Sequence, residues 1–276
     1  MGMRMTRRAL LATPAAAWGR GVNLRIGVMD GVAHAPSDPD SVAVAARAGC
    51  EGIQVTLGRQ TTAGHMVMAS PERQRAFLAA SKFHRVPIIS TYLDILHVHC
   101  LKNDREALRR AVEGIEITSR LEARILMLVF FGKCALETRE EMDAVVGPLK
   151  ELAREAERAK VILGFENTIR AEDDVRILDA VGSSALQVYY DIGNATNLYH
   201  VDPLEELRRL GRRRICQVHV KDKGYLGEGS VDVAGAVRTL NEIGWRGWLV
   251  LETSVPSGNR EEDLRRNVAY LRRLVR

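Results

Sequence analysis

Short apolar runs alternate with longer amphipathic stretches from residue 24 to the end of this chain. The apolar runs read LRIGVMD (24–30), GIQVTL (52–57), VPIISTYL (86–93), RILMLVFF (124–131), VILGFEN (161–167), LQVYYDIG (186–193), ICQVHVKD (215–222) and GWLVLETS (247–254). Near-continuous Val, Ile and Leu is the composition of strands covered on both faces. Between the runs, apolar positions recur every three or four residues, as at Leu108, Val112 and Ile115. That spacing predicts helices over Pro71–Arg85, Asp104–Glu122, Arg139–Lys160 and Arg260–Val275. Ser70-Pro71 and Asp202-Pro203 each supply a capping side chain followed by a proline that a first helical turn tolerates. Eight strand–helix units predict an α/β fold, a (β/α)8 TIM barrel. A doubly wound open sheet competes, but it calls for a glycine-rich phosphate turn after the first strand. That turn here is DGVAHAPSD.

Alternate side chains of a strand face opposite ways. Glu252, Val250 and Trp248 share one face of the last run, and His219, Gln217 and Ile215 share one face of the seventh. The last four runs close on Glu166, Asp191, His219 and Glu252, spaced 25, 28 and 33 residues apart. In a closed parallel barrel those strand ends form one rim, so the four side chains converge. Three carboxylates and an imidazole suit a divalent cation. One such residue alone reads as a surface charge or a satisfied histidine; all four together predict a metal centre.

Composition narrows the class. The chain has 276 residues, 46% of them hydrophobic, which is enough for one barrel core. The net charge of +5 comes largely from arginines on amphipathic helices, such as Arg208, Arg209 and Arg212–Arg214, and reads as solvated faces rather than a nucleic-acid surface. No apolar run approaches the ~20 residues of a membrane-spanning helix. The four cysteines, Cys50, Cys100, Cys134 and Cys216, show no CxxC or zinc-knuckle spacing, and most read as buried or half-buried thiols without a role. Residues 1–22 stand apart from the barrel at 23–276. Arg7-Arg8, a short apolar stretch and Ala15-Ala16-Ala17 predict a twin-arginine export signal and a periplasmic protein. The alternative is a disordered tail on a cytoplasmic protein.

GFEN, YYDIGN, VHVKD and LVLET, with FFGK (130–133) and LGEGSVD (226–232), resemble the xylose-isomerase-like barrel superfamily of sugar phosphate isomerases and epimerases. Its members include inosose isomerases and dehydratases, hydroxypyruvate isomerase, ketose 3-epimerases and type IV AP endonucleases. The resemblance runs from about residue 24 to the C-terminus. It implies one divalent ion (Mn2+, Mg2+, Co2+ or Zn2+) on Glu166, Asp191, His219 and Glu252. It also implies that Glu166 and Glu252 exchange protons on opposite faces of a substrate carbon, through a metal-stabilised enediolate. The expected substrate is an unphosphorylated sugar, keto-sugar or cyclitol. Three alternatives remain: a lyase or dehydratase on a keto-cyclitol or keto-glycoside, an AP-endonuclease-like nuclease, and a non-catalytic sugar-binding protein. Homo-oligomerisation stays open.

The chain departs from the ketose 3-epimerase pattern in two places. Asn194 stands where some epimerases have a histidine three residues after the aspartate ligand, and Tyr225 where they carry a basic residue six after the histidine. Glu172 matches a substrate-contacting carboxylate of those enzymes. Asn194, Glu172, Lys221, Lys133 and His97 are the predicted substrate contacts. Lys221 shares the strand face of His219, Lys133 lies just past the fourth strand, and His97 and His99 follow the third. Asp222 reads as a turn cap or a support for the site. Gly227-Glu228-Gly229-Ser230 follows the seventh strand and reads either as an anion cradle of backbone N–H groups or as a plain turn.

Overall fold

The structure is a computed structural model that describes residues 24–59 and 64–275. The expected twin-arginine segment therefore lies outside the described residues. Eight strands, β1 (Leu24–Met29), β2 (Gly52–Thr56), β3 (Ile88–Leu93), β4 (Ile125–Val129), β5 (Ile162–Glu166), β6 (Leu186–Asp191), β7 (Ile215–Val220) and β8 (Gly247–Leu251), form a closed barrel in sequence order. Every pairing is parallel, and β8 closes on β1 with Gly27 opposite Val250. The barrel predicted from the apolar runs is the observed fold.

Helices cover the outside. They are α1 (Asp30–Ala33), α2 (Asp40–Ala48), α3 (Pro71–His84), α4 (Arg105–Arg120), α5 (Arg139–Ala144), α6 (Val146–Ala159), α7 (Ala171–Val181), α8 (Ile192–Asn197), α9 (Pro203–Arg214), α10 (Val233–Glu242) and α11 (Arg260–Leu274). Ser70 and Asp202 cap α3 and α9 as their sequence contexts predict, accepting from Arg73 N and Leu204 N. The single helix expected over Arg139–Lys160 is instead two, α5 and α6, divided at Val145. Pro148 has no N–H for residue 144 and its ring crowds that carbonyl, so the helix restarts just before it.

Two features of the barrel interior prepare the site. Gly164 on β5 has no side chain, and a Cβ there would meet the Tyr189 ring at 2.9 Å, so the glycine makes room for Tyr189 to fill the barrel. At the mouth, β1 ends one residue earlier than its apolar run because Asp30 turns into α1. Its buried carboxylate accepts from Gly31 N, Ser37 N, Thr56 N and Thr56 Oγ1 at 2.6–2.9 Å, tying the first loop to the end of β2.

The cysteines correct the sequence reading. Cys100 and Cys134 form a disulfide with Cα atoms 4.9 Å apart, while Cys50 and Cys216 stay free. Adjacent strands β3 and β4 bring their following loops together at the mouth, a proximity that a separation of 34 residues does not reveal.

Candidate metal centre

The strand ends converge as the sequence predicts. In the β6–β7 ladder Asp191 stands opposite His219, in the β4–β5 ladder Glu166 stands opposite Val129, and Glu252 N continues the sheet by donating to Val220 O. Glu166, Asp191, His219 and Glu252 each offer a ligand atom, and those atoms all lie within 4.8 Å of one another. His219 Nδ1 is 2.9 Å from Glu166 Oε1, 3.3 Å from Glu252 Oε2 and 3.9 Å from Asp191 Oδ2. Three of the four side chains are buried; Glu252, 32% exposed, marks the side of the cluster open to solvent.

Local structure aims each donor. Asp191 caps α8, its Oδ1 accepting from Gly193 N and Asn194 N at 2.8 and 2.9 Å. That leaves Oδ2, buried and without a well-directed hydrogen bond, facing the other donors. Asn167, next to Glu166, donates to Asp174 and accepts from Ile169 N, which shapes the turn after β5. His219 holds Gln54 Oε1 on its far nitrogen, Nε2, at 2.9 Å. Lys221 Nζ lies 2.7 Å from Asp191 Oδ2 and 2.8 Å from Glu252 Oε2.

The donor set fits a divalent cation. Three carboxylates against one ammonium leave two negative charges in a sheltered space when His219 is neutral, and two positive charges balance them. Oxygen donors with one imidazole match Mn2+, Mg2+, Co2+ or Zn2+ rather than a thiolate-seeking ion. The protonation equilibria show the same strain. Burial pushes the Asp191 carboxyl up to about 7, Lys221 pulling against it and Glu252 pushing with it. Shelter from solvent also works to raise Glu252, but His219 and Lys221 outweigh it and hold Glu252 below the ordinary range. Burial opposes a charge on His219, yet Glu166 and Glu252 raise its pKa above the ordinary value.

The predicted substrate contacts divide. Lys221 is in the centre itself. His97 is half-buried at the mouth, its Nε2 2.6 Å from Tyr92 OH and its ring stacked on Phe131 at 6.2 Å. Burial and Arg59 lower the His97 pKa, while the charges of Glu166 and Glu252 pull the other way. Asn194 is buried in the first turn of α8, where its N–H serves Asp191. Lys133 is exposed beside the disulfide, with its charge felt at Asp104. Glu172 is not brought to the centre. It is exposed and lines an open groove of about 610 Å³ between α7 and α9 with Arg170, Glu205, Glu206, Arg208 and Arg209. His99 pairs with Asp104, the cap of α4, at 2.6 Å.

The glycine loop after β7 is already filled. Asp222 turns its own carboxylate into it and accepts from Lys223 N, Gly227 N, Gly229 N and Val231 N at 2.8–3.4 Å. The anion held by these backbone groups is therefore the protein's own side chain, so the cradle reading of this loop gives way to that of Asp222 as a cap. Two residues near the centre, Gln54 and Tyr92, went unpredicted. The signal for Gln54 was a single amide inside the apolar run GIQVTL.

The chain belongs to the xylose isomerase-like TIM barrel family, whose sequence profile matches residues 42–274. No curated protein matches the sequence. Solved structures share its fold at low identity. D-allulose 3-epimerase from Methylomonas sp. is 16% identical with a TM-score of 0.73, over 91% of this chain and 97% of that one. L-ribulose 3-epimerase is 17% identical with a TM-score of 0.72, covering 91% and 94%. The 3-keto-D-glucoside 4-epimerase of E. coli is 14% identical with a TM-score of 0.71, covering 91% and 99%.

Proposed function

We propose that this protein is a divalent-metal-dependent sugar isomerase or epimerase that removes a proton beside the carbonyl of a keto-sugar or cyclitol. The observation that carries the reading is the convergence of Glu166, Asp191, His219 and Glu252 within 4.8 Å. The epimerases among its structural neighbours agree with it. A divalent ion on these four residues would supply Lewis-acid polarisation of the substrate carbonyl. Glu252, at the open side and kept ionised by His219 and Lys221, is suited to take a proton. Glu166, buried 2.9 Å from His219 Nδ1, is suited to return one to the opposite face. Lys221 can donate to a substrate oxygen, and Asp191 and His219 serve to hold the ion.

Elimination begins with the same proton abstraction. The Tyr92 hydroxyl, hydrogen-bonded to His97 near both glutamates, is a proton donor that a dehydratase could use on its leaving oxygen. The nuclease reading is less well supported, because the one cluster found among the described residues has a single histidine. We place the protein in an oxidising compartment, reached through the Arg7-Arg8 signal; the Cys100–Cys134 disulfide supports this. The function is tested by metal analysis of the purified protein, followed by a screen of keto-sugars and inososes for deuterium uptake from D2O. A protein that holds no divalent ion and exchanges no substrate proton would sink the proposal. A reporter fused to residues 1–30, with Arg7 and Arg8 changed to Lys, tests export.

A further inference from the structure

We infer that Gln54, held in one orientation by Met127 and Tyr189, selects the tautomer of His219 that aims its Nδ1 lone pair into the metal centre. The inference rests on the metal-dependent reading above. His219 and Gln54 are fully buried, and Tyr189 nearly so, so solvent offers their polar atoms no partner. His219 Nε2 is 2.9 Å from Gln54 Oε1, and Gln54 Nε2 is 3.1 Å from Tyr189 OH and 3.6 Å from Met127 Sδ.

The chemistry of these partners sets a direction. A thioether sulfur only accepts, so the amide edge that faces Met127 must be the NH2 group. The carbonyl edge then faces His219. An amide oxygen only accepts, so Nε2 must carry the ring proton, and in a neutral ring Nδ1 is left with its lone pair. Nδ1 is the nitrogen that faces Glu166, Glu252 and Asp191. Turning the amide over would set its oxygen against the sulfur and its NH2 against Nε2. The ring proton would then move to Nδ1 and point at Glu166 Oε1, where a ligand bond is needed. Met127 thus acts through Gln54, and Gln54 through His219; both are positioning residues, since neither touches the centre.

The test uses the full-length protein and Mn2+ binding followed by electron paramagnetic resonance. It also uses the ring nitrogen signals of His219 in histidine-labelled protein, recorded metal-free and with Zn2+, at a pH high enough that the ring gives the nitrogen signature of a neutral imidazole. Wild type should show the Nε2–H tautomer in both states. Gln54→Met should weaken Mn2+ binding by roughly 10–100-fold, the usual effect of losing the outer partner of a histidine ligand. Gln54→Glu keeps an oxygen for Nε2–H and should bind within about threefold of wild type. If a second thioether at this position disturbs packing, Met127→Leu is the variant to read: it frees the amide to turn, and the Nδ1–H form should appear. Wild-type affinity in Gln54→Met, or an Nδ1–H ring in the wild-type protein, would overturn the proposal. If wild type binds no divalent ion, the metal reading itself fails, and the metal-free tautomer still decides the Gln54 arrangement separately.

Discussion

Lys221 Nζ lies 2.7 Å from Asp191 Oδ2, so an ammonium just past the end of β7 shares the space of the clustered carboxylates. A cation there opposes a second cation electrostatically while offering a donor to a substrate oxygen. Lys221→Met should therefore bind Mn2+ at least as tightly as wild type, yet show a higher KM for whichever substrate the keto-sugar and inosose screen identifies and a lower kcat/KM, by roughly tenfold or more for a lost charge-assisted hydrogen bond. Metal titration and steady-state kinetics on the same preparation check both halves.

Changing Glu166 or Glu252 to Gln keeps an oxygen ligand and removes the base. Metal content should stay appreciable while turnover falls by roughly 10²–10⁴. Substrate proton exchange with D2O at the wild-type rate in either variant would contradict the two-glutamate mechanism. Asp191→Ala and His219→Ala should instead lose metal, with activity partly recovered at high Mn2+ concentration.

The raised pKa values set a sign for the pH dependence. A carboxyl lifted from 3.8 to about 7, as at Asp191, stabilises the metal-free fold below pH 3.8 and loses that contribution as the pH rises through about 7. His219, also raised, loses its contribution in the same direction above its ordinary value of 6.5. With a chelator present, the melting temperature should fall as the pH rises from about 4 to about 7 on account of Asp191, and further above 6.5 on account of His219. With Mn2+ present the trend should reverse, because deprotonation of the same two groups creates the ligands. Thermal melts across that range, with and without metal, measure it.

Cys100 and Cys134 close a loop of 34 residues of separation, for which chain-entropy arguments give roughly 3–4 kcal/mol of stabilisation. Cys100→Ser/Cys134→Ser should unfold at correspondingly lower denaturant. Unreduced, denatured wild-type protein from an oxidising compartment should titrate two thiols, Cys50 and Cys216.

Asp222→Ala strips the acceptor from four backbone donors of the loop after β7. The variant should lose about 1–3 kcal/mol of stability. It should also gain inhibition by inorganic phosphate that the wild type does not show, measurable by competition kinetics.

Much of this was legible in the chain. Val, Ile and Leu runs separated by periodic helices leave few alternatives to a parallel barrel, and once the barrel is closed, strand-end residues such as Glu166, Asp191, His219 and Glu252 meet at one rim. Their meeting follows from local periodicity plus one topological rule, and for that reason the sequence alone determined both the fold and the set of four donors. The contacts between loops were decided only by the tertiary structure. The Cys100–Cys134 pair, the outward placement of Glu172 and the capture of the glycine loop by Asp222 depend on where irregular backbone travels, which no repeat encodes. Gln54 belongs to this second group too. A lone amide in an apolar strand signals that a partner exists, but the identity of that partner, His219 from a strand 165 residues away, comes only from closing the barrel around both.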